Sequence, residues 1–217
     1  MGQIHTLMLR YLLFFSTLVL PFIAFSQLID TTYNNQIKIS ALRLINILNP
    51  GIEISYERLH GKRYSSQLSI GYPTNVLGKP YQQLKGHTFA FEEKYFKKML
   101  SRPRNYWSLD LNITNINFDE TTGGMDTVNN ISITDTFTIK KKMQSVAIKY
   151  GVQLFGEHII LDFSIGAGLK YRNVTHYHRE FEYKGPREPS DFMRIANLEK
   201  KGLAFILPLN IRLGYSF

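Results

Sequence analysis

Beyond its first thirty residues, the chain alternates hydrophobic with polar or small residues at a period of two. Side chains of a β-strand point alternately to opposite faces, so this pattern predicts strands with one apolar face. Eight segments show it: Gln36–Asn46, Ile52–Glu57, Gln67–Tyr72, Thr88–Tyr95, Trp107–Thr114, Val146–Leu154, Leu161–Arg172 and Ala204–Phe217. The faces of the first segment are ambiguous, because Ile37 and Ile39 are out of phase with Leu42 and Leu44, as a β-bulge would make them.

The direction in which the apolar faces point decides the fold class. A soluble β-sandwich or β-barrel turns them inward, whereas a transmembrane β-barrel turns them toward lipid and keeps polar residues inside. Small residues such as Gly71, Gly151 and Ser164 are frequent on the polar faces and suit the narrow interior of an eight-stranded barrel. Tyrosine and phenylalanine gather at strand ends, where aromatic girdles lie. The sequence therefore predicts an all-β fold, an eight-stranded antiparallel up-and-down transmembrane β-barrel.

The lengths of the connections alternate along the chain. Three are short: His60–Arg63, Lys97–Asn105 and Phe155–His158. The others are a tight turn at Asn49–Gly51 and three long segments, Thr74–Gly86, Asn115–Thr136 and Asn173–Gly202. Outer-membrane barrels have short periplasmic turns and long external loops. This sorting predicts that both termini are periplasmic and that the long segments are external loops.

Residues 1–27 have the features of a secretory signal peptide. Arg10 precedes an apolar run from Tyr11 to Phe25, and the small residues Ala24 and Ser26 fit a cleavage site. The alternative, a transmembrane anchor, is disfavoured because the run is shorter than the roughly 20 residues that span a bilayer. We therefore predict a barrel domain over residues 28–217 and a location in the outer membrane of a Gram-negative cell.

Net charge and amino-acid composition limit the kinds of molecule that the chain is expected to bind. The net charge of +9 favours anionic neighbours, and export excludes nucleic acid, which leaves the lipid and glycolipid of the outer membrane. Lys140, Lys141 and Lys142 either pair with glycolipid phosphates at the outer rim or are simply solvated. The absence of cysteine excludes disulfides, thiolate metal sites and cysteine nucleophiles. The chain is expected to be a monomer.

Charged residues on the polar faces are predicted to meet inside the barrel. Buried charges persist only where they are paired, so five acids and five bases imply a self-neutralised network: Glu53, Glu57, Glu92, Asp110 and Asp162 with Lys94, Lys149, Lys170, Arg172 and Arg212. Eight strands leave just enough room for side chains. The sequence thus predicts a plugged lumen rather than a diffusion pore, with a proton or ion path as the alternative. Glu93 is an exception, since it falls on the predicted lipid face, near an interface or at a bulge.

Candidate chemistry is sparse. His176, His178, Glu180 and Glu182 alternate and would share one face of an extended strand, as ligands of Zn²⁺ could, although a polar loop gives the same pattern. The two histidines also lie where a lipid-modifying enzyme of the barrel rim would place a base for a serine or threonine nucleophile. Neither a further ligand nor a nucleophile motif accompanies them, so we predict no catalytic, cofactor-binding or metal-binding residues.

Four segments carry a resemblance to known proteins. NPGIEISYER (Asn49–Arg58), SSQLSIGY (Ser65–Tyr72) and GHTFAFEEKYF (Gly86–Phe96) resemble a small outer-membrane β-barrel family of bacteroidete-type bacteria, for which no function is established. LNIRLGYSF (Leu209–Phe217) is similar to the carboxyl-terminal signal that the barrel-assembly machinery reads, with Leu213, Tyr215 and Phe217 as its alternating apolar residues. The resemblance implies an eight-stranded barrel inserted by that machinery, and it supplies no catalytic or ligand residues.

The predicted function is accordingly that of an integral outer-membrane β-barrel protein with a structural or surface-contact role and no catalysis. The alternatives are a lipid-modifying enzyme at the barrel rim and a soluble secreted barrel that carries a small apolar ligand. The orientation of Leu209, Ile211 and Leu213 relative to Arg212 distinguishes the membrane barrel from the soluble one.

Overall fold

The structure, a computed structural model, describes residues 34–44, 51–60, 63–74, 82–97, 103–126, 131–179 and 197–217. The strands in these ranges are β1 Asn35–Ser40, β2 Gly51–His60, β3 Tyr64–Pro73, β4 Gln82–Phe96, β5 Arg104–Asp126, β6 Ile131–Phe155, β7 Ile159–Tyr177 and β8, which has two segments, Lys200–Ile206 and Leu209–Ser216. One short helix, α1 Ala41–Leu44, follows β1. Within the described ranges no helix is long and apolar enough to cross a bilayer. The predicted signal peptide, residues 1–27, lies outside them.

The strands form one closed antiparallel sheet. Each strand pairs with the next along the chain, and β8 pairs with β1 through a register that runs from Gln36↔Ser216 to Ser40↔Arg212. Both segments of β8 pair with β7, and the break between them includes Pro208, which lacks the N–H that a ladder hydrogen bond needs. The prediction of an eight-stranded up-and-down barrel is therefore confirmed.

Apolar side chains cover the outside of the barrel, and polar side chains fill its inside. Leu209 and Leu213 are 56% and 51% exposed, whereas Arg212 is only 3% exposed. On β1 the fully buried Lys38 likewise lies between two exposed isoleucines. The predicted orientation of the faces is correct, and it is that of a barrel surrounded by hydrocarbon rather than water.

β1 begins and β8 ends at the end of the barrel that carries the short turns. The Asn35 N–H donates a hydrogen bond to Phe217 O at 3.3 Å, and the Phe217 N–H donates to Asn35 O at 3.0 Å. The connections from β2 to β3, from β4 to β5 and from β6 to β7 are at this end. We call it the turn end and the opposite one the loop end.

The first strand differs from its prediction. The structure ends β1 at Ser40 and places one helical turn at Ala41–Leu44, so the predicted strand Gln36–Asn46 is too long. The change of phase after Ile39 comes from this helical turn rather than from a β-bulge. The turn brings Arg43 against the interior, where its Nη1 lies 2.6 Å from Glu53 Oε2.

Strands β5, β6 and β7 continue past the loop end as an external sheet. β5 and β6 stay paired from Asn115↔Lys142 to Asp126↔Ile131, so the predicted external loop Asn115–Thr136 is instead mostly a β-hairpin. One face of this sheet packs a small hydrophobic core, formed by Ile116, Phe118, Phe137, Ile139 and Val174 with Leu84 beside it. These residues continue the strand face that lines the lumen. The inward face thus gains an apolar core in the external sheet, whereas it is mainly polar in the barrel.

Candidate functional site

Four charged side chains from four strands meet at the centre of the barrel. Lys38 Nζ lies 2.5 Å from Glu57 Oε2 and 2.5 Å from Asp162 Oδ2, and Lys94 Nζ lies 2.7 Å from each of the same two oxygens. All four side chains are at most 1% exposed. Two ammonium groups therefore bridge two carboxylates, and the cluster, which we call the central cluster, carries no net charge.

Uncharged polar groups complete the hydrogen bonding of the central cluster. Tyr106 Oη donates to Asp162 Oδ1 at 2.5 Å, and Ser65 Oγ donates to Glu57 Oε1 at 2.6 Å. The Gln153 side-chain amide donates to both carboxylates at 3.2 Å, and Gln67 Oε1 accepts from Lys94 at 3.0 Å. Lys94 Nζ also lies 4.7 Å from the centre of the Tyr106 ring. Each charge is thus held by several partners, as burial requires.

A second chain of ion pairs runs from the central cluster toward the loop end. Glu92 accepts from Arg212 Nη1 and pairs with Lys149 Nζ, both at 2.9 Å, and Lys149 Nζ lies 3.4 Å from Asp110 Oδ1. Ser108 Oγ donates to the same glutamate at 2.6 Å. Glu53 joins the chain through Arg212, whose Nη2 lies 3.9 Å from Glu53 Oε1. Arg43 pairs with the same glutamate, and its guanidinium also donates to Thr88 Oγ1.

The structure places eight of the ten predicted network residues in ion pairs: Glu53, Glu57, Glu92, Lys94, Asp110, Lys149, Asp162 and Arg212. The other two, Lys170 and Arg172, are half-buried nearer the loop end, and the described residues include no ion-pair partner for them. Lys38 and Arg43 take their places, so the paired residues still comprise five acids and five bases. Lys38 lies between two apolar residues, as inward residues of these strands do, so the alternating pattern could have identified it. Arg43 reaches the interior from a helical turn, which the alternating pattern does not reveal.

The network is closed on one side and open on the other. Toward the turn end, a buried layer follows it in which the Phe96 and Tyr106 rings lie 5.5 Å apart and the Arg104 guanidinium lies 4.3 Å from the Phe155 ring. Toward the loop end, a polar cavity of about 180 Å³ is lined by residues that include Asn112 and Asn210. The ion pairs and this aromatic layer thus lie on the turn-end side of the polar cavity.

Glu93 lies on the outer wall as its position in the sequence predicts. The register Ser66↔Glu93 is regular, so no bulge displaces it, and it is three residues from the turn-end terminus of β4. Ser66 Oγ donates to Glu93 Oε2 at 2.6 Å and also lies 3.0 Å from His60 Nε2. Of the two predicted explanations for this carboxylate, the structure supports a position near an interface.

His176 belongs to the external sheet and uses both ring nitrogens. Its Nε2 donates to Asn197 O at 2.7 Å, and its Nδ1 lies 3.1 Å from Arg179 Nη1. His178 is exposed in a left-handed conformation, with φ of 61°. Glu180 and Glu182 lie outside the described residues. Among the residues that the structure does describe, no group of three or more histidines and carboxylates could hold a metal ion.

The residues of the predicted assembly signal share the outer wall at the turn end. Leu213, Tyr215 and Phe217 are all exposed on β8 or just after it. The Tyr215 ring stacks on His158, with 5.2 Å between the ring centres. The three side chains therefore form one continuous apolar edge.

The three consecutive lysines of β6 do not act as one group. Lys141 points to the inner face of the external sheet, where its Nζ lies 4.9 Å from the centre of the Phe118 ring, and burial lowers its pKa to about 8. Lys140 and Lys142 point outward and line a depression of about 420 Å³ on the outer face. The sequence predicted a basic rim at this place but not the division of the three side chains between two faces.

Comparisons with known proteins leave the family open. No protein-family model matches the chain, and no curated protein matches it. Among solved structures, it is similar to a major outer membrane protein from Thermus thermophilus, with a TM-score of 0.40 and 12% sequence identity over 84% of this chain and 99% of that one. The resemblance to a bacteroidete-type family stays a prediction, and the assignment as a barrel rests on the strand pairing described above.

Proposed function

We propose that the chain is an integral outer-membrane β-barrel protein that acts as a structural element of the membrane and presents its external sheet for contact. One observation carries this proposal: charged residues such as Lys38 and Glu57 are fully buried while the apolar residues beside them are exposed. In water, this arrangement would leave a large apolar surface exposed, which soluble monomers avoid. In a bilayer, the same surface is solvated by lipid tails.

The proposed topology places the turn end in the periplasm and the external sheet outside the cell. Short periplasmic turns and long external segments are the usual arrangement of such barrels. The predicted signal peptide and the apolar edge at Leu213, Tyr215 and Phe217 support export and insertion by the barrel-assembly machinery. In this orientation the polar cavity opens outward.

The proposed lumen is sealed. The central cluster and the aromatic layer beneath it fill the cross-section with side chains that hold one another. A porin needs a water-filled lumen, which larger barrels have. No observation on the described residues favours the alternative of a rim enzyme, since His176, the best candidate base, already uses both nitrogens.

Two measurements test the proposal. Cells that express the full chain should show it in the outer-membrane fraction, with different mobility in heated and unheated gel samples, because a folded barrel resists detergent. Recovery in the soluble periplasmic fraction would contradict the membrane assignment. The purified barrel in planar bilayers should give no conductance steps under an applied voltage, and regular steps from it would contradict the sealed lumen.

A further inference from the structure

The outer wall changes from apolar to polar along a line that crosses five strands. The register aligns Phe91, Leu111, Val146, Leu169 and Phe205 in one row, and two residues further along the strands it aligns Phe89, Ile113, Gln144, Tyr171 and Leu203. The next row is polar throughout: His87, Asn115, Lys142, Asn173 and Lys201. Since a strand rises about 3.3 Å per residue, this first polar row lies roughly 7 Å beyond the last apolar one.

A second polar row follows at the same spacing. It contains Asn117, Lys140 and Thr175, with Lys85 on the neighbouring strand. Lys140 Nζ lies 4.2 Å from the centre of the Tyr177 ring, which holds it over the depression. Neither row contains an acid. The outward acids beyond the lining of the depression are Glu199, two residues before Lys201, and Asp119, which accepts a hydrogen bond from Thr138 Oγ1 at 2.7 Å. The lining itself presents two ammonium groups, three amides and two hydroxyls and contains no carboxylate.

We propose that this depression binds the phosphorylated sugar headgroup of an outer-leaflet glycolipid, with Lys140 and Lys142 on the phosphates and Asn115, Asn117 and Asn173 on the sugar hydroxyls. The inference rests on the proposed function, since it needs the barrel to lie in the outer membrane. Charge complementarity favours an anionic group, because ammonium–phosphate hydrogen bonds are charge-assisted.

The position of the depression selects a lipid over a soluble anion. It opens on the same outward face as the apolar rows, so a headgroup bound there has its acyl chains directly against Phe89, Ile113 and Tyr171. A free phosphate or a soluble polyanion would gain nothing from those contacts. An anionic amphiphile satisfies both parts of the surface at once, the basic rows and the apolar rows.

The test measures binding of fluorescently labelled bisphosphorylated lipid A to the folded full-length barrel in a neutral detergent, by anisotropy. Lys140→Gln with Lys142→Gln should weaken binding about tenfold or more, whereas the matched pair Arg58→Gln with Lys97→Gln at the turn end should stay within about twofold of wild type. Each pair removes two positive charges from outward-facing or turn positions; Arg58, Lys97 and Lys142 are exposed and Lys140 is half-buried. Dephosphorylated lipid A should bind as weakly as the first pair.

Several outcomes would overturn the inference. One is equal binding of the phosphorylated and dephosphorylated lipids, another is equal loss in the two variant pairs, and a third is competition by inorganic phosphate at the concentration of the lipid itself. Mobility of unheated samples reports folding separately in every case. A wild-type barrel that does not fold in detergent or lipid would contradict the proposed function, whereas a folded barrel that ignores lipid A contradicts only this inference.

Discussion

Neutralising Asp162 tests whether the central cluster stabilises the barrel. Asp162 accepts hydrogen bonds from Lys38 Nζ, Lys94 Nζ and Tyr106 Oη, and it is 1% exposed. Asp162→Asn keeps the size of the side chain but removes its charge. Two buried ammonium groups are then left with the single carboxylate of Glu57.

The expected cost follows from these contacts. A hydrogen bond to a charged group contributes about 1.5–3 kcal/mol, and removal of one partner of a buried ion pair costs about 3–5 kcal/mol. Asp162→Asn weakens two such bonds and leaves one positive charge uncompensated, so we expect the free energy of unfolding to fall by about 4 kcal/mol. Asp110→Asn is the matched control. Its carboxylate lies 3.4 Å from Lys149, which keeps Glu92 at 2.9 Å, so the cost should not exceed about 1 kcal/mol.

Urea titration of the barrel in phosphatidylcholine vesicles measures these differences. Trp107 is the single tryptophan of the chain and is exposed on the lipid side of the wall. Its emission should shift to longer wavelength when the barrel unfolds into water. The mobility of unheated gel samples gives an independent measure of the folded fraction.

A second substitution separates loss of the network from general damage. Lys38→Met in the Asp162→Asn background removes the uncompensated charge and leaves Lys94 paired with Glu57 at 2.7 Å. The double variant should be about 2 kcal/mol more stable than Asp162→Asn alone. If Asp162→Asn unfolds at the urea concentration of wild type, or if the two substitutions simply add, the cluster does not stabilise the fold as argued.

Three further predictions concern single positions. Gly151→Ala should lower the free energy of unfolding in urea by about 1–3 kcal/mol, because a methyl group there overlaps the buried tyrosine ring that fills its space, while Gly202→Ala, with open space around it, should change little. Burial lowers the pKa of Lys141 from 10.5 to about 8, so the unfolded chain binds that proton more tightly than the folded one. The folded external sheet should therefore become more stable as the pH rises from 8 to 10.5, and its hydrogen-exchange protection should increase by up to about 3 kcal/mol. Lys141→Met should abolish this rise and the outward Lys142→Met should not. Deletion of Phe217 should lower the amount of barrel in outer membranes, and unchanged levels on an immunoblot would contradict its role in assembly.

The sequence was sufficient for the barrel and for the direction of its faces. Alternation places Glu57 and Lys94 inside for the same reason that it places Leu209 outside, since the strand around each of these residues keeps the period of two. Lys38 carries this signal too, between two isoleucines, and was missed because the following helical turn obscured the phase of β1.

The alternating pattern did not predict which charged side chains form ion pairs with one another inside the lumen. Lys170 and Asp162 share the inward face of β7, yet only Asp162 reaches the central cluster. Which inward residues meet depends on the stagger of the strands, which places residues distant in sequence at one height. The external hairpin was predicted as a loop for another reason. Its apolar residues lie on the opposite strand face from Ile116 onward, compared with Ile113 and the residues before it, and in a sequence such a change of face looks like the end of a strand.

That change of face also fixes the depth of the barrel in the membrane. The pairing of β5 with β6 continues without a shift across it, so the backbone stays regular while the medium outside changes from lipid to water. In the proposed topology, a shift of the barrel by two residues in the direction of its turn end would bring Lys142 and its row into the hydrocarbon. The cost for each lysine grows from about 0–1 kcal/mol near the interface to about 2–4 kcal/mol at the midplane. A shift the other way would expose Ile113 and its apolar neighbours to water. Because β4, β5, β7 and β8 change polarity in the same row, and β6 changes one row earlier at Gln144, the proposed membrane barrel would have one preferred depth, at which the basic rows would lie at the level of the headgroups.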